Sequence, residues 1–152
     1  MKYTETVDIH KPRDEVIAIF ENPDLVGAWQ KGFRGMEVVE GEPGKAGSKT
    51  SLHYDFGKRE MTLVETVKEN ALPERFVAVY EAQGVYNLSA NHFEQTSPGV
   101  TRWTSDNEFL FSNLMMKVMG FVMSGMFRKQ TRTMLSAFRD FVEDGKRVDD
   151  AG

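Results

Sequence analysis

From Gly32 to Phe111 the chain repeats one pattern, short runs of alternating apolar and polar residues, each closed by a turn signal. Six strands are expected, over Arg34–Glu40, Ser48–Phe56, Glu60–Glu69, Arg75–Gln83, Tyr86–Gln95 and Thr101–Phe111. Gly41-Glu42-Pro43-Gly44, Phe56-Gly57-Lys58, Leu72-Pro73-Glu74, Gln83-Gly84 and Ser97-Pro98-Gly99 separate them. A parallel connection needs a crossover of a dozen or more residues, and these links are too short for one. The strands are therefore expected to follow one another as an antiparallel meander, with one covered face and one wet face.

The flanks complete the architecture. Tyr3, Val7 and Ile9 alternate on one face of a first strand; Glu5 shares that face and leaves it imperfect near its start. Pro12, Asp14 and Glu15 suit the opening turn of a helix, Val16, Ile19 and Phe20 form its apolar stripe, and Asn22-Pro23 ends it. A second short helix over Asp24–Lys31 presents Leu25, Ala28 and Trp29. The segment Ser112–Asp144 is helical by its spacing. Gly120 and Gly125 each cost roughly 1 kcal/mol relative to Ala, so a break is expected near them, with a firm helix from Met126 to Glu143.

The composition narrows the function classes. At 152 residues, 40% apolar and 28% charged, the chain fits one domain with one core. Its net charge of −4 argues against nucleic acid as a partner. The densest basic cluster, Arg128, Lys129 and Arg132, reads as a solvated helix face. The absence of cysteine excludes disulfides, thiolate nucleophiles and cysteine metal sites. His10, His53 and His92 stand too far apart for metal-ligand spacing, so no metal or other cofactor is expected. Gly41–Ala46 has the wrong spacing for a P-loop, and Met123-Ser124-Gly125 lacks the first glycine of a nucleophile elbow. The alternating, acid-bearing start of the chain is unlike a secretory signal, and a cytoplasmic location is expected.

Pro12…Val16…Phe20-Glu21-Asn22-Pro23…Trp29 resembles the opening of the START/birch-allergen-like (SRPBCC) superfamily, especially its polyketide cyclase/dehydrase-like bacterial members. Pro98-Gly99-Val100-Thr101-Arg102-Trp103 resembles their last hairpin with one residue inserted, and Met134-Leu135…Phe138…Phe141-Val142-Glu143 their closing helix. The resemblance spans residues 2 to 144 and implies an α+β helix-grip fold. That fold is a seven-stranded curved antiparallel sheet with two short helices after strand one and a long C-terminal helix. Residues 1–144 would then form one ligand-binding domain and 145–152 a polar flexible tail. The superfamily holds carriers, cyclases, lipid and quinone binders and chaperone co-factors, so it implies a pocket and little about reaction.

Strand parity nominates the residues that line that pocket. Leu52, Tyr54 and Phe56 share a face, as do Met61, Leu63, Glu65 and Val67. Phe76, Ala78 and Tyr80 share another, and so do Trp103, Ser105, Asn107 and Phe109. Glu65 is the sharpest candidate for chemistry, because a carboxylate among apolar neighbours has its pKa raised and can act as acid or base. A bulge turning it outward, or a nearby Arg or Tyr satisfying it, is the plainer alternative. Strand 86–95 fits two parities. Tyr86, Leu88, Ala90 and His92 inward is the more hydrophobic and is favoured; Asn87, Ser89, Asn91 and Phe93 inward puts polar groups on the wall. His92 is a second acid–base candidate under the first parity. Met119, Met123, Met126, Phe127 and Met134 from the methionine-rich terminal segment offer a deformable wall, or simply fill an irregular core.

Three functions stay open. The first is a binding module that takes a hydrophobic or aromatic small molecule, lipid-like or polyketide-like, against Trp29, Tyr54, Tyr80 and Trp103. The second is a polyketide cyclase or dehydratase using Glu65 or His92 in the same space. The third is an interaction protein whose stretch from Phe109 to Phe127 docks a membrane surface or a second copy; Asn113, Lys117 and two glycines count against a membrane span. Monomer and homodimer both stay open.

Overall fold

Each expected turn closes a hairpin, so the consecutive strands pair. The computed structural model describes residues 1–149. Strand β1 (Lys2–Ile9) is followed by helix α1 (Arg13–Phe20), a 3-10 turn at Pro23–Leu25 and helix α2 (Val26–Trp29). Then come β2 (Phe33–Glu40), β3 (Lys49–Asp55), β4 (Glu60–Ala71), β5 (Arg75–Ala82), β6 (Val85–Ser97) and β7 (Val100–Phe111). Helices α3 (Leu114–Val122) and α4 (Ser124–Asp144) complete the chain. The strands form one antiparallel seven-stranded sheet in the order β1-β7-β6-β5-β4-β3-β2. This is the α+β helix-grip fold expected above. Register shifts between Phe33 and Gly35, Val38 and Glu40, Val67 and Glu69, and Gln95 and Ser97 bend their strands.

The α1–α2 link follows its local chemistry. Asn22 Oδ1 accepts from the Asp24 amide at 3.0 Å, and Pro23 takes the first position of the 3-10 turn, where its missing N–H costs nothing. The second helix is shorter than its sequence suggests, because Gln30 already has extended backbone.

One end of the concave face is sealed by aromatic rings. Trp103, Phe138, Phe93 and Trp29 are all buried, with Phe20 among them. Ring centroids lie 4.9 Å apart for Phe20–Phe93 and Trp29–Phe138, and 5.1 Å apart for Trp103–Phe138. Leu135, Phe138 and Val142, at helical spacing, bring the C-terminal half of α4 into this cluster.

The N-terminal half of α4 is held differently, against the edge strand β1. The Tyr3 and Thr131 hydroxyls lie 2.6 Å apart, and Glu5 accepts from Arg128 at 2.7 Å and Arg132 at 2.9 Å. The Arg132 guanidinium, helped by Arg128, holds the buried Glu5 carboxyl below the usual carboxylate range. The basic cluster is therefore more than a solvated face, and the polar interruption of β1 is its partner.

The expected helix break falls at Met123, between the two glycines. Gly120 lies against the Phe111 ring, where any Cβ would collide with it. Among the described residues no helix is long and apolar enough to cross a membrane. Past α4, Gly145 adopts a left-handed conformation and the Val148 amide donates to the Ala28 carbonyl at 2.9 Å. Residues 150–152 of the expected tail lie outside the described residues.

Removing the central ring of the cluster tests this division. Phe138→Ala should lower unfolding free energy by about 3–5 kcal/mol in urea titration, because its site is closed on all sides. Phe121→Ala, at a position 83% exposed, should stay within about 0.5 kcal/mol of the parent.

Candidate functional site

Away from the aromatic cluster, the concave face changes character. Its side chains there are half-buried rather than sealed, and many are polar. Leu63, Glu65, Tyr80, Asn87, Tyr54 and Met61 all keep some accessible surface. Glu65 pairs in register with Tyr80 across β4 and β5, and Tyr54 with Met61 across β3 and β4.

Lys68 is the extra residue at the register shift in β4, and it sets this arrangement. Near the turn Ala71 faces Arg75 and Glu69 faces Val77; past Lys68 the register slips so that Val67 faces Ala78 and Glu65 faces Tyr80. Were Lys68 instead paired in turn with Ala78, the ladder would run on without a slip and Glu65 would stand opposite Glu81. The slip brings the Tyr80 hydroxyl to Glu65 Oε2, where it donates at 2.7 Å. Among the described residues Glu65 Oε1 takes no hydrogen bond. Tyr54 Oη donates to Gln30 Oε1 at 2.5 Å, tying the floor to the residue that follows α2.

Burial sets the protonation of these groups. It pushes the Glu65 carboxyl up, and the Tyr80 hydrogen bond pulls it partly back. Burial also pushes both phenols up, Tyr80 strongly, and the Glu65 charge adds to each. The phenols therefore remain protonated donors, while the carboxyl can accept a ligand's proton or hydrogen bond.

Strand β6 takes the parity not favoured from the sequence. Asn87, Ser89, Asn91 and Phe93 face the concave side, because Phe93 pairs with Trp103 and Asn91 with Ser105. Burying Phe93 within the aromatic cluster outweighs burying Tyr86 and Leu88. The polar residues that come with it are satisfied: Trp103 Nε1 donates to Asn91 Oδ1 at 2.9 Å, and Asn91 Nδ2 donates to Ser89 Oγ at 3.2 Å. Asn87 Nδ2 donates to Asn107 Oδ1 at 3.3 Å, and Asn107 Nδ2 to Ser105 Oγ at 2.9 Å. This amide and hydroxyl stripe crosses β6 and β7 beside Tyr80, which pairs with Asn87.

Several expectations are corrected. His92 lies on the outer face, with Nε2 3.6 Å from Asp106 Oδ2, and is no acid–base group of the concave face. Trp103 is 1% exposed and Trp29 4%; both are core residues, although Trp29 Nε1 has no partner among the described residues. Phe56 sits on the rim, 48% exposed, stacked on Tyr54. Met119 and Met126 are exposed, Met123 is half-buried between the two helices, and Met134 packs against the core. Phe127 stacks on Phe109 with centroids 4.8 Å apart. Asn107, Leu63, Met61, Tyr54, Tyr80 and Glu65 do share the concave face.

An open groove of about 480 Å³ lies at the β5–β6 turn beside Gly84 and Leu110, and another of about 450 Å³ lies against α3 beside Phe109 and Phe121. Neither is lined by Glu65 or Tyr80, so they are separate from this floor. Among the described residues no three His, Asp or Glu side chains converge to hold a metal ion.

No family model matches the sequence, and no curated protein matches it. Solved structures do resemble it. The Zhui aromatase/cyclase from Streptomyces sp. R1128 superposes with a TM-score of 0.73 over 97% of this chain and 99% of its own, at 12% identity. Ara h 8.0201 gives 0.72 over 93% and 97%, also at 12% identity. Protein TTHA0849 from Thermus thermophilus gives 0.69 over 93% and 97%, at 12% identity. At such identities the likeness is one of fold, and over nearly its whole length the chain has the fold expected from its resemblance to the START/birch-allergen-like superfamily.

Proposed function

We propose that this protein binds a hydrophobic or aromatic small molecule over the half-buried part of the concave face, between the sheet and α4. One observation carries the reading: the Glu65–Tyr80 pair is buried deeply enough to shift its protonation, yet leaves a carboxyl oxygen unused. The apolar floor around it, Leu63 and Met61, supplies burial energy of about 25 cal/mol per Å² covered. The pair and the stripe at Asn87 and Asn107 orient a ligand hydroxyl or carbonyl.

A carboxyl kept at this position lowers stability, which favours a role toward ligand. Its pKa in the folded state is raised above the ordinary 4.5. Below that value both states are protonated and the carboxyl costs nothing; as pH rises through the raised value, the folded state loses stability relative to the unfolded one. Glutamine would keep the bond from Tyr80 without the charge.

The same pair favours a second reading, a cyclase or dehydratase, and the Zhui aromatase/cyclase is among the similar folds. The Glu65 carboxylate would take a proton from the carbon next to a ketone and return it to a hydroxyl that leaves as water, with Tyr80 holding the carboxyl in place.

Three measurements test these readings. Nile red should bind with enhanced fluorescence, and Leu63→Trp should weaken that binding by about tenfold or more by filling the floor. No binding, or binding indifferent to Leu63→Trp, would refute the proposed site. In urea unfolding Glu65→Gln should be more stable than the parent at neutral pH, with the difference vanishing toward pH 4.5. An unchanged difference across that range would show that Glu65 titrates as a solvated acid. The enzyme reading expects Glu65→Gln to retain Nile red binding while losing turnover of a linear poly-β-ketone; equal turnover removes Glu65 from the chemistry.

A further inference from the structure

We propose that α3 is a docking helix for an anionic lipid surface, a role separate from the concave face. Leu114, Met115, Phe121 and Val122 are 77%, 74%, 83% and 76% exposed, and Val118 and Met119 are more than half exposed. At about 100° per residue these six side chains sweep an arc of roughly 160°, with Lys117 at its border. Gly120, on the opposite side, is pressed against Phe111. The helix thus turns its one small residue to the sheet and its large apolar ones to the outside, the reverse of a helix packed for the core. An arc of this width with a lysine at its edge suits the boundary between lipid headgroups and chains, where the stem lies along apolar surface and the ammonium reaches the phosphates.

Charge identifies the occupant. From Phe109 to Arg139 the chain has no Asp or Glu but carries Lys117, Arg128, Lys129, Arg132 and Arg139, in a protein with 23 acidic and 19 basic residues. Arg128 and Arg132 bind Glu5, and Arg139 binds Asp140. Among the described residues Lys117 and Lys129 have no ion-pair partner. The acids nearby, Glu81 and Glu108, belong to strands of the sheet, and Lys2 holds Glu108 at 3.1 Å. A symmetric second copy would press this patch on itself and set Lys117 against an acid-free segment. An anionic bilayer offers both the apolar depth and the opposite charge.

Flotation with vesicles of equimolar phosphatidylcholine and phosphatidylglycerol tests the proposal. The parent should float with these vesicles, less so as salt is added, and bind pure phosphatidylcholine weakly. Leu114→Ser/Phe121→Ser should lower partitioning by about tenfold or more while leaving the melting temperature and Nile red titration at the concave face as in the parent. Lys117→Glu should weaken binding to the anionic vesicles alone. A parent that stays in the soluble fraction, or a double variant that floats as the parent does, overturns the proposal. A parent that sediments as a dimer, dissociates on the same double substitution and ignores vesicles overturns it too, and assigns the arc to a second copy.

Discussion

The structure depends on one clamp, in which Phe138 of α4 is driven among Trp29, Phe93, Trp103 and Phe20. Each of these rings removes some 150–250 Å² from water, and edge-on pairs add about 0.5–1.5 kcal/mol beyond that area. The clamp fixes the C-terminal half of α4 at one end of a bent sheet. A straight helix anchored at one end cannot also follow the curve of the strands. The other half is carried on the edge strand by Tyr3, Thr131 and the Glu5–arginine contacts. The middle strands are thereby left with half-buried floors, and that is where Glu65 and Tyr80 stand.

Much of this was legible in the sequence, and the rest for definite reasons was not. The hairpin order follows from local alternation and short turns, which carry their own information. Which way β6 faces is a tertiary matter. Local hydrophobicity prefers Tyr86 and Leu88 inward, but the strand answers to Phe93 seated beside Trp103 and to Asn91 finding its three hydrogen-bond partners. His92 fell out of the site by the same step. The tryptophans show the complementary limit: residue type marks a large apolar surface but cannot say whether protein or ligand covers it. Glu5 was visible as a flaw in an alternating strand, while its arginine partners lay far along the chain.

Glu65 shows how narrowly such a site is specified. Alternation groups it with Leu63 and Val67, but the face they take and the residue opposite depend on the bulge at Lys68. The partner then decides the chemistry. Opposite Glu81 it would stand on the outer, exposed face; opposite Tyr80 it points inward, where a protonated phenol supplies a donor whose own burial keeps it from ionising. A strand irregularity that would pass for a defect in the ladder thus both turns the acid inward and sets a donor opposite it.

The apolar residues of this chain serve in two settings that differ in direction. On the concave face they alternate with amides, hydroxyls and a carboxyl in fixed positions, so any molecule held there meets hydrogen-bonding groups at set angles. On the outer arc of α3 the large side chains stand exposed and without such partners. Phe111 joins the two, lying under Gly120 on one side and belonging with Phe109 and Phe127 to a ring stack on the other. Through Phe127 that stack reaches the N-terminal half of α4, which the edge strand also holds through Tyr3 and Glu5, so both helices rest on the end of β7.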